Sequence, residues 1–216
     1  MDLHLKDKRV VVTGGSRGIG YAIAAAFAQE GSHVSICARG RDALEDAADK
    51  LQAHGTTIHA QPTDISDPVA IEGFIEAAAS ALGGIDILIN NPSAFGYADT
   101  EEHWQSGIGV DLMGLLRCSW KAIPHIEEAG GGSIIHISSI SGLKPTRRSP
   151  AYAAVKAAVI QYTTSQALIL TEKNIRVNTI APGSVEFPGG LWEQRKTSDP
   201  ATYNAALGSI PFGRMG

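Results

Sequence analysis

Six short runs rich in β-branched and apolar residues alternate with longer stretches of helical period, and this alternation restricts the possible folds more than any other feature of the chain. The runs are Arg9 to Thr13, His33 to Ala38, Thr57 to Gln61, Ile85 to Asn90, Ser133 to Ser138 and Ile175 to Ala181. Helical stretches cover Ile19 to Glu30, Asp42 to Ala53, Pro68 to Leu82, Glu101 to Glu128 and Ala151 to Glu172. Strands that are apolar throughout and separated by helices belong to a parallel sheet covered on both faces. The expected class is therefore α/β, with a doubly wound parallel sheet. Asp67 followed by Pro68 supplies a cap and a first-turn proline to the third helix, and Gly31 stops the first. Gly107, Gly109, Gly114 and Pro124 weaken the fourth. Gly183 to Pro200 reads as a long loop carrying Phe187, Leu191 and Trp192, the composition of a functional lid.

The 216 residues suffice for one well-buried core and are read as one domain, 1–216. No uninterrupted apolar run of about 18 residues is present, so no membrane span is expected. The amino terminus lacks a basic flank and apolar leader, which gives the expectation of an unprocessed cytoplasmic chain. A net charge of −4 with mixed signs argues against nucleic acid and for a small-molecule partner. Cys37 and Cys118 form no CxxC pair, so neither a disulfide framework nor a metal site is expected, and both read as buried apolar residues.

Directly after the first strand stand Thr13, Gly14, Gly15, Ser16, Arg17, Gly18, Ile19 and Gly20, leading into a helix. Glycines there permit a tight turn and close backbone approach, while the helix N-terminus offers free N–H groups and a partial positive charge to a pyrophosphate. The strand-turn-helix context makes this a dinucleotide loop. An acid at the end of the second strand would select NAD through the ribose 2′-hydroxyl. Ser35 to Arg39 contains none, and Arg39, with Arg17 in the loop, offers donors suited to a 2′-phosphate. NADP or NADPH is the expected cofactor.

Tyr152 and Lys156 lie four residues apart and share a helix face. An ammonium beside a phenol favours loss of the phenolic proton, which makes a proton donor and acceptor usable near neutrality. Thirteen residues upstream, Ser139 follows the fifth strand, at the edge where open α/β sheets bind ligands.

With these residues in this order, the chain resembles the short-chain dehydrogenase/reductase family over its whole length, and within it members like 3-oxoacyl-[acyl-carrier-protein] reductase. TGGSRGIG matches the cofactor loop, Asp64 and Ile65 the adenine-contacting pair, Asn90 and Asn91 the start of NNAG, Ser139 the catalytic serine, and Tyr152 with Lys156 the YxxxK motif. NTIAPG precedes a nicotinamide contact at Val185. The resemblance implies a Rossmann-type fold and hydride transfer between a carbonyl and a secondary alcohol. It also implies that Tyr152 protonates the developing alkoxide, Ser139 holds the carbonyl oxygen, and Lys156 assists Tyr152 and binds the nicotinamide ribose. A homodimer or homotetramer built through the fourth and fifth helices is expected on the same basis.

Four departures stand out. NNAG reads Asn90-Asn91-Pro92-Ser93; the family's catalytic asparagine is Asp111; the threonine after the PG pair is Phe187; and the chain stops at Gly216, before the family's further helix and seventh strand. Phe95, Tyr97, Trp104, Phe187, Leu191 and Trp192 read either as an apolar pocket or as core. The substrate is expected to be a ketone, a 3-oxoacyl thioester or a secondary alcohol, with Arg147 and Arg148 placed to meet an acidic carrier or coenzyme A. The rival reading is an NADP-binding sensor or scaffold with little turnover.

Overall fold

Along β1 (Arg9–Thr13), Val10 and Val12 point to one face and Val11 to the other, and all three are buried, so this strand is covered on both sides. The computed structural model describes residues 2–216 and supplies both covers. One face carries α1 (Gly18–Gln29) and α2 (Arg41–Gln52), whose Ala24, Ala28, Leu44 and Leu51 pack on Val10, Val12, Val34 and Ile36. The other carries α3 (Pro68–Leu82), α5 (Leu115–Glu128) and α6 (Pro150–Ile169), with Ile71, Phe74, Ile75, Cys118 and Ile126 packed on Val11, Leu88 and Ile134.

The remaining strands are β2 (His33–Ala38), β3 (Ile58–Pro62), β4 (Ile87–Asn90), β5 (Gly132–Ile137) and β6 (Ile175–Ile180), all parallel, in the order β3-β2-β1-β4-β5-β6. The order reverses between β1 and β4. Thr13 is in register with both Cys37 and Asn90, so the strand ends on either side of that switch point line up, and the crevice beyond them is where such sheets bind ligands.

Local chemistry accounts for most boundaries. The Asp67 carboxylate accepts from the Val69 N–H, Pro68 follows it, and Gly83 leaves α3 with a φ of 77°. The expected fourth helix is a continuous helical run built in three parts. After α4 (Glu101–Ser106), residues Gly107–Gly114 wind as a π-helix before α5 begins. Its glycines permit the wider winding. One is also required by packing, because a Cβ on Gly114 would lie 2.4 Å from Ile65 Cγ2. Pro124 is accommodated within α5.

The stretch expected to be a loop to Pro200 is irregular only as far as Gly190. It continues as α7 (Leu191–Ser198) and α8 (Pro200–Gly208). The Glu193 carboxylate accepts from the Gly189 N–H at 2.6 Å, and Asp199 caps α8 by accepting from Thr202 N–H at 3.1 Å with Pro200 behind it. That Asp-Pro pair is the same start signal that marks α3. Gly216 closes the segment through backbone hydrogen bonds with Ser184 and Glu186. Among the described residues no helix is long and apolar enough to cross a membrane. Trp120 on α5 and Leu168 and Ile169 on α6 are exposed apolar side chains on the two helices expected to mediate self-association.

Candidate active site

The cofactor loop is built by close backbone approach. Gly14 and Gly18 hold φ values of 69° and 56°, and a Cβ on Gly20 would lie 2.1 Å from the Gly14 carbonyl oxygen. Asn91, just past β4, locks the turn by donating from Nδ2 to the carbonyls of Thr13 and Gly14 at 3.3 and 3.0 Å. No side chain caps α1 at Arg17, so its first N–H groups keep their donors for an anion. These features fit a dinucleotide pyrophosphate. Ser16 and Ile19 are half-buried along the same turn, and Gly15 is pinned by its N–H to the Cys37 carbonyl.

The other expected cofactor residues take different positions. Arg17 and Arg39 are exposed, and among the described residues neither has a carboxylate within 4 Å. Asp64 is exposed and accepts from both the N–H and the hydroxyl of Ser66, which with the nearby Arg39 charge hold its carboxyl below the usual range. Ile65 is buried in the core against the π-helical segment. Val185 is half-buried beside Gly216. Phe187 lies against the glycine loop, its ring atoms 2.5 to 2.8 Å from where a Cβ on Gly18 would be.

Beyond β5, Ser139 starts a 3-10 turn and its Oγ accepts from the Ser141 N–H at 3.1 Å. The turn is pressed onto α6, since a Cβ on Gly142 would lie 2.7 Å from the Lys156 carbonyl carbon. Ser138 donates to the Lys156 carbonyl at 2.8 Å. The Lys156 ammonium donates to the Ile137 carbonyl at 3.0 Å, stands 5.6 Å from the centre of the Tyr152 ring, and lies 3.0 Å from Asp111 Oδ1. Lys156 and Asp111 are each only 2% exposed. Removing one partner of such a buried pair typically costs about 3–5 kcal/mol, so the two charges depend on each other.

Asp111 is thus neither solvent-facing nor a cap; the π-helical winding turns it into the floor of the site. Its Oδ2 accepts from the Ala94 N–H at 2.7 Å, which ties down the loop where NNAG is altered. The approach of Lys156 to Oδ1 is an ion pair without hydrogen-bond angles, leaving that buried oxygen without a protein donor.

Above the floor, Tyr97 meets the Tyr152 ring edge-on at 5.2 Å and Phe95 lies 5.8 Å from Tyr97. Burial and the neighbouring Tyr152 push the Tyr97 hydroxyl well above the usual phenol range, so it stays protonated. From α7, Arg195 lies 5.9 Å from the Tyr97 ring centre and 5.1 Å from that of Trp192. Trp104 is turned aside, donating to Asp99 at 3.0 Å. Arg148 donates to the Thr202 hydroxyl and Arg147 is exposed. The contributions of Ser138, Tyr97 and Arg195 had no local sequence signal beyond the aromatic character of Tyr97. Two open depressions elsewhere, one lined by Asn174 and Asn178 and one by Arg9 and Gly84, lie toward the amino ends of the strands, away from this edge. Cys37 and Cys118 are buried free thiols, and burial pushes Cys37 up to about 12.

The short chain dehydrogenase family profile matches residues 8–198. An isoepoxydon dehydrogenase of Penicillium expansum is 36% identical over 216 residues, covering 98% of this chain and 83% of its own length. The structure of L-sorbose reductase from Gluconobacter frateurii, complexed with NADPH and L-sorbose, superposes with a TM-score of 0.91 at 32% identity, covering 100% of this chain and 87% of that one. An NAD+-bound xylitol dehydrogenase gives 0.91 at 26% identity, covering 98% and 88%. With its six-stranded doubly wound sheet and its glycine loop, the chain belongs to the short-chain dehydrogenase/reductase family of oxidoreductases.

Proposed function

We propose that this protein interconverts a carbonyl and a secondary alcohol with NADP(H), Tyr152 carrying the proton. The carrying observation is the buried Lys156 ammonium, fixed by Asp111 and the Ile137 carbonyl and held 5.6 Å from the Tyr152 ring. NADPH, when bound, supplies the hydride that the carbonyl carbon accepts and leaves as NADP+. The Tyr152 hydroxyl gives its proton to the carbonyl oxygen as that oxygen gains charge, and takes it back in the oxidation direction. Lys156 offsets the charge then left on the tyrosine oxygen. Ser139, whose Oγ already accepts from the Ser141 N–H, has its own proton free to donate to the substrate oxygen.

Gly14, Gly15, Ser16, Gly18, Ile19 and Gly20 would hold the pyrophosphate through backbone N–H groups, and Asp64, Ile65, Asn91 and Val185 would flank adenine, ribose and nicotinamide by family resemblance. Arg39, exposed and without an acid partner at the end of β2, would read the 2′-phosphate with Arg17. The test is to titrate NADPH and NADH into wild type and Arg39→Ala, then to follow NADPH oxidation over a carbonyl panel. Wild type is expected to bind NADPH at least tenfold more tightly, with Arg39→Ala losing that margin and little NADH affinity. Equal losses for both cofactors would remove Arg39 from phosphate recognition. Tight NADPH binding with no turnover of any carbonyl would replace the enzyme with a sensor.

A further inference from the structure

The mouth of the site carries a cation whose donors the protein does not use. Arg195 rests against Tyr97 and Trp192, and a guanidinium held by aromatic rings keeps its N–H groups at the rim of its plane, free for hydrogen bonds. Each neighbouring acid is committed elsewhere. Glu186 takes the Lys196 ammonium and, at 2.7 Å, the Tyr203 hydroxyl; Glu193 accepts from Gly189; Asp199 caps α8 at Thr202. Asp199 also feels the charges of both Arg148 and Arg195, so two cations share one carboxylate already in use. Among the described residues, Arg195 has neither a carboxylate within 4 Å nor a hydrogen-bond acceptor.

Position gives this surplus charge a purpose. Tyr97 bridges the two groups: its ring meets the edge of Tyr152 at 5.2 Å and also carries Arg195. Among the described residues the Tyr97 hydroxyl has no hydrogen-bond partner, and it keeps its proton, so it adds a neutral donor beside the cation. A substrate whose carbonyl meets Tyr152 and whose chain runs past Tyr97 would reach a planar fork of N–H donors, the geometry that pairs bidentately with a carboxylate.

We infer that Arg195 selects substrates bearing a carboxylate a few bonds from the reacting carbon, so that the enzyme reduces an oxo acid or oxidises the matching hydroxy acid. This rests on the carbonyl-alcohol reading of Tyr152. The oxidation state changes as proposed above, with hydride to the carbonyl carbon and a proton from Tyr152 to its oxygen; the carboxylate takes no part in bond making.

The experiment compares acetoacetate, levulinate and 5-oxohexanoate with their methyl esters, and with L-sorbose as a neutral ketone. It reads kcat and KM for NADPH oxidation and, by calorimetry, affinity for the NADP+-loaded protein. At least one acid should exceed its ester by about ten- to hundredfold in kcat/KM, mainly through KM, since charge-assisted hydrogen bonds are the strong ones. Arg195→Gln should erase that ratio by weakening the acid alone. Arg195→Lys should restore part of it, and NADPH affinity should not move in either. Acids and esters used or bound equally, or equally weakened by Arg195→Gln, would overturn the assignment. Reduction of L-sorbose or the esters without preference for any acid would sink it while leaving the Tyr152 reading intact. NADPH binding with no reduction of any probe and no acid binding would remove both.

Discussion

The floor of the site and its mouth are made of different material. Asp111, Lys156 and Ser138 are buried side chains on or beside regular elements, each fixed by partners from another element. Phe95, Tyr97, Phe187, Trp192 and Arg195 sit half-exposed or exposed on a loop, an irregular segment and a short helix; Phe95, Tyr97, Arg195 and Trp192 touch in turn through ring contacts, and Phe187 lies against the glycine loop. Close packing lets the floor adopt one arrangement, whereas the mouth has room to adjust. Changes in the floor should therefore alter the chemical step and stability, and changes in the mouth should alter which molecule is accepted.

Acid provides the sharpest contrast in stability. His136, beneath the floor on β5, is buried between Asn90 Nδ2 at 3.2 Å and Gln166 Oε1 at 2.9 Å. Burial, together with the Lys156 charge and against the help of Gln166, lowers its pKa to about 4. The unfolded chain thus binds a proton that the folded one refuses. Stability from this group is complete above the ordinary histidine value near 6.5 and is lost as the pH falls toward 4, an effect of about 3 kcal/mol. His59, half-buried, adds in the same direction. In the mouth, Glu186 and Asp199 are held below their usual values, so what they contribute is lost only at more acid pH. Urea unfolding at pH 7 and pH 4.5 should show a drop that shrinks in His136→Gln. An unchanged drop would mean that the floor is not the acid-sensitive layer.

At Asp111 the loss of the buried charge should cost stability, and the effect expected on activity is small. Asparagine keeps the shape and an acceptor for Ala94 N–H but removes the charge facing Lys156, so the ammonium acts on Tyr152 undiminished. Asp111→Asn should keep or raise activity, by a few-fold at most, and move the alkaline rise of the oxidation rate to lower pH. Superimposable pH profiles for the two proteins would take Asp111 out of the proton path and leave it as a structural tie.

The same contrast explains what could be read from the sequence. The parallel α/β class, the glycine loop and the Tyr152-Lys156 pair follow from short-range signals: apolar runs, glycines at fixed spacing, a tyrosine and lysine one helical turn apart. The Asp-Pro start of α3 was legible for the same reason. Its twin at Asp199-Pro200 is masked by the glycines and prolines before it, which read as a loop. The close packing of Ile65 on Gly114 in the π-helical segment joins residues far apart in the chain, as does the pairing of Asp111 with Lys156. The assembly of Arg195, Tyr97 and Tyr152 is likewise tertiary, and residue spacing carries no trace of it.

The most direct test of the account is a single-turnover measurement of NADPH oxidation in Tyr152→Phe, paired with NADPH affinity by fluorescence titration on the same preparation. Phenylalanine keeps the ring against Tyr97 and removes the proton. Affinity should stay within about twofold while the rate falls by about 10²- to 10⁴-fold, the usual worth of general acid-base catalysis. A rate within tenfold of wild type at unchanged affinity would contradict the assignment of Tyr152 as the acid and base.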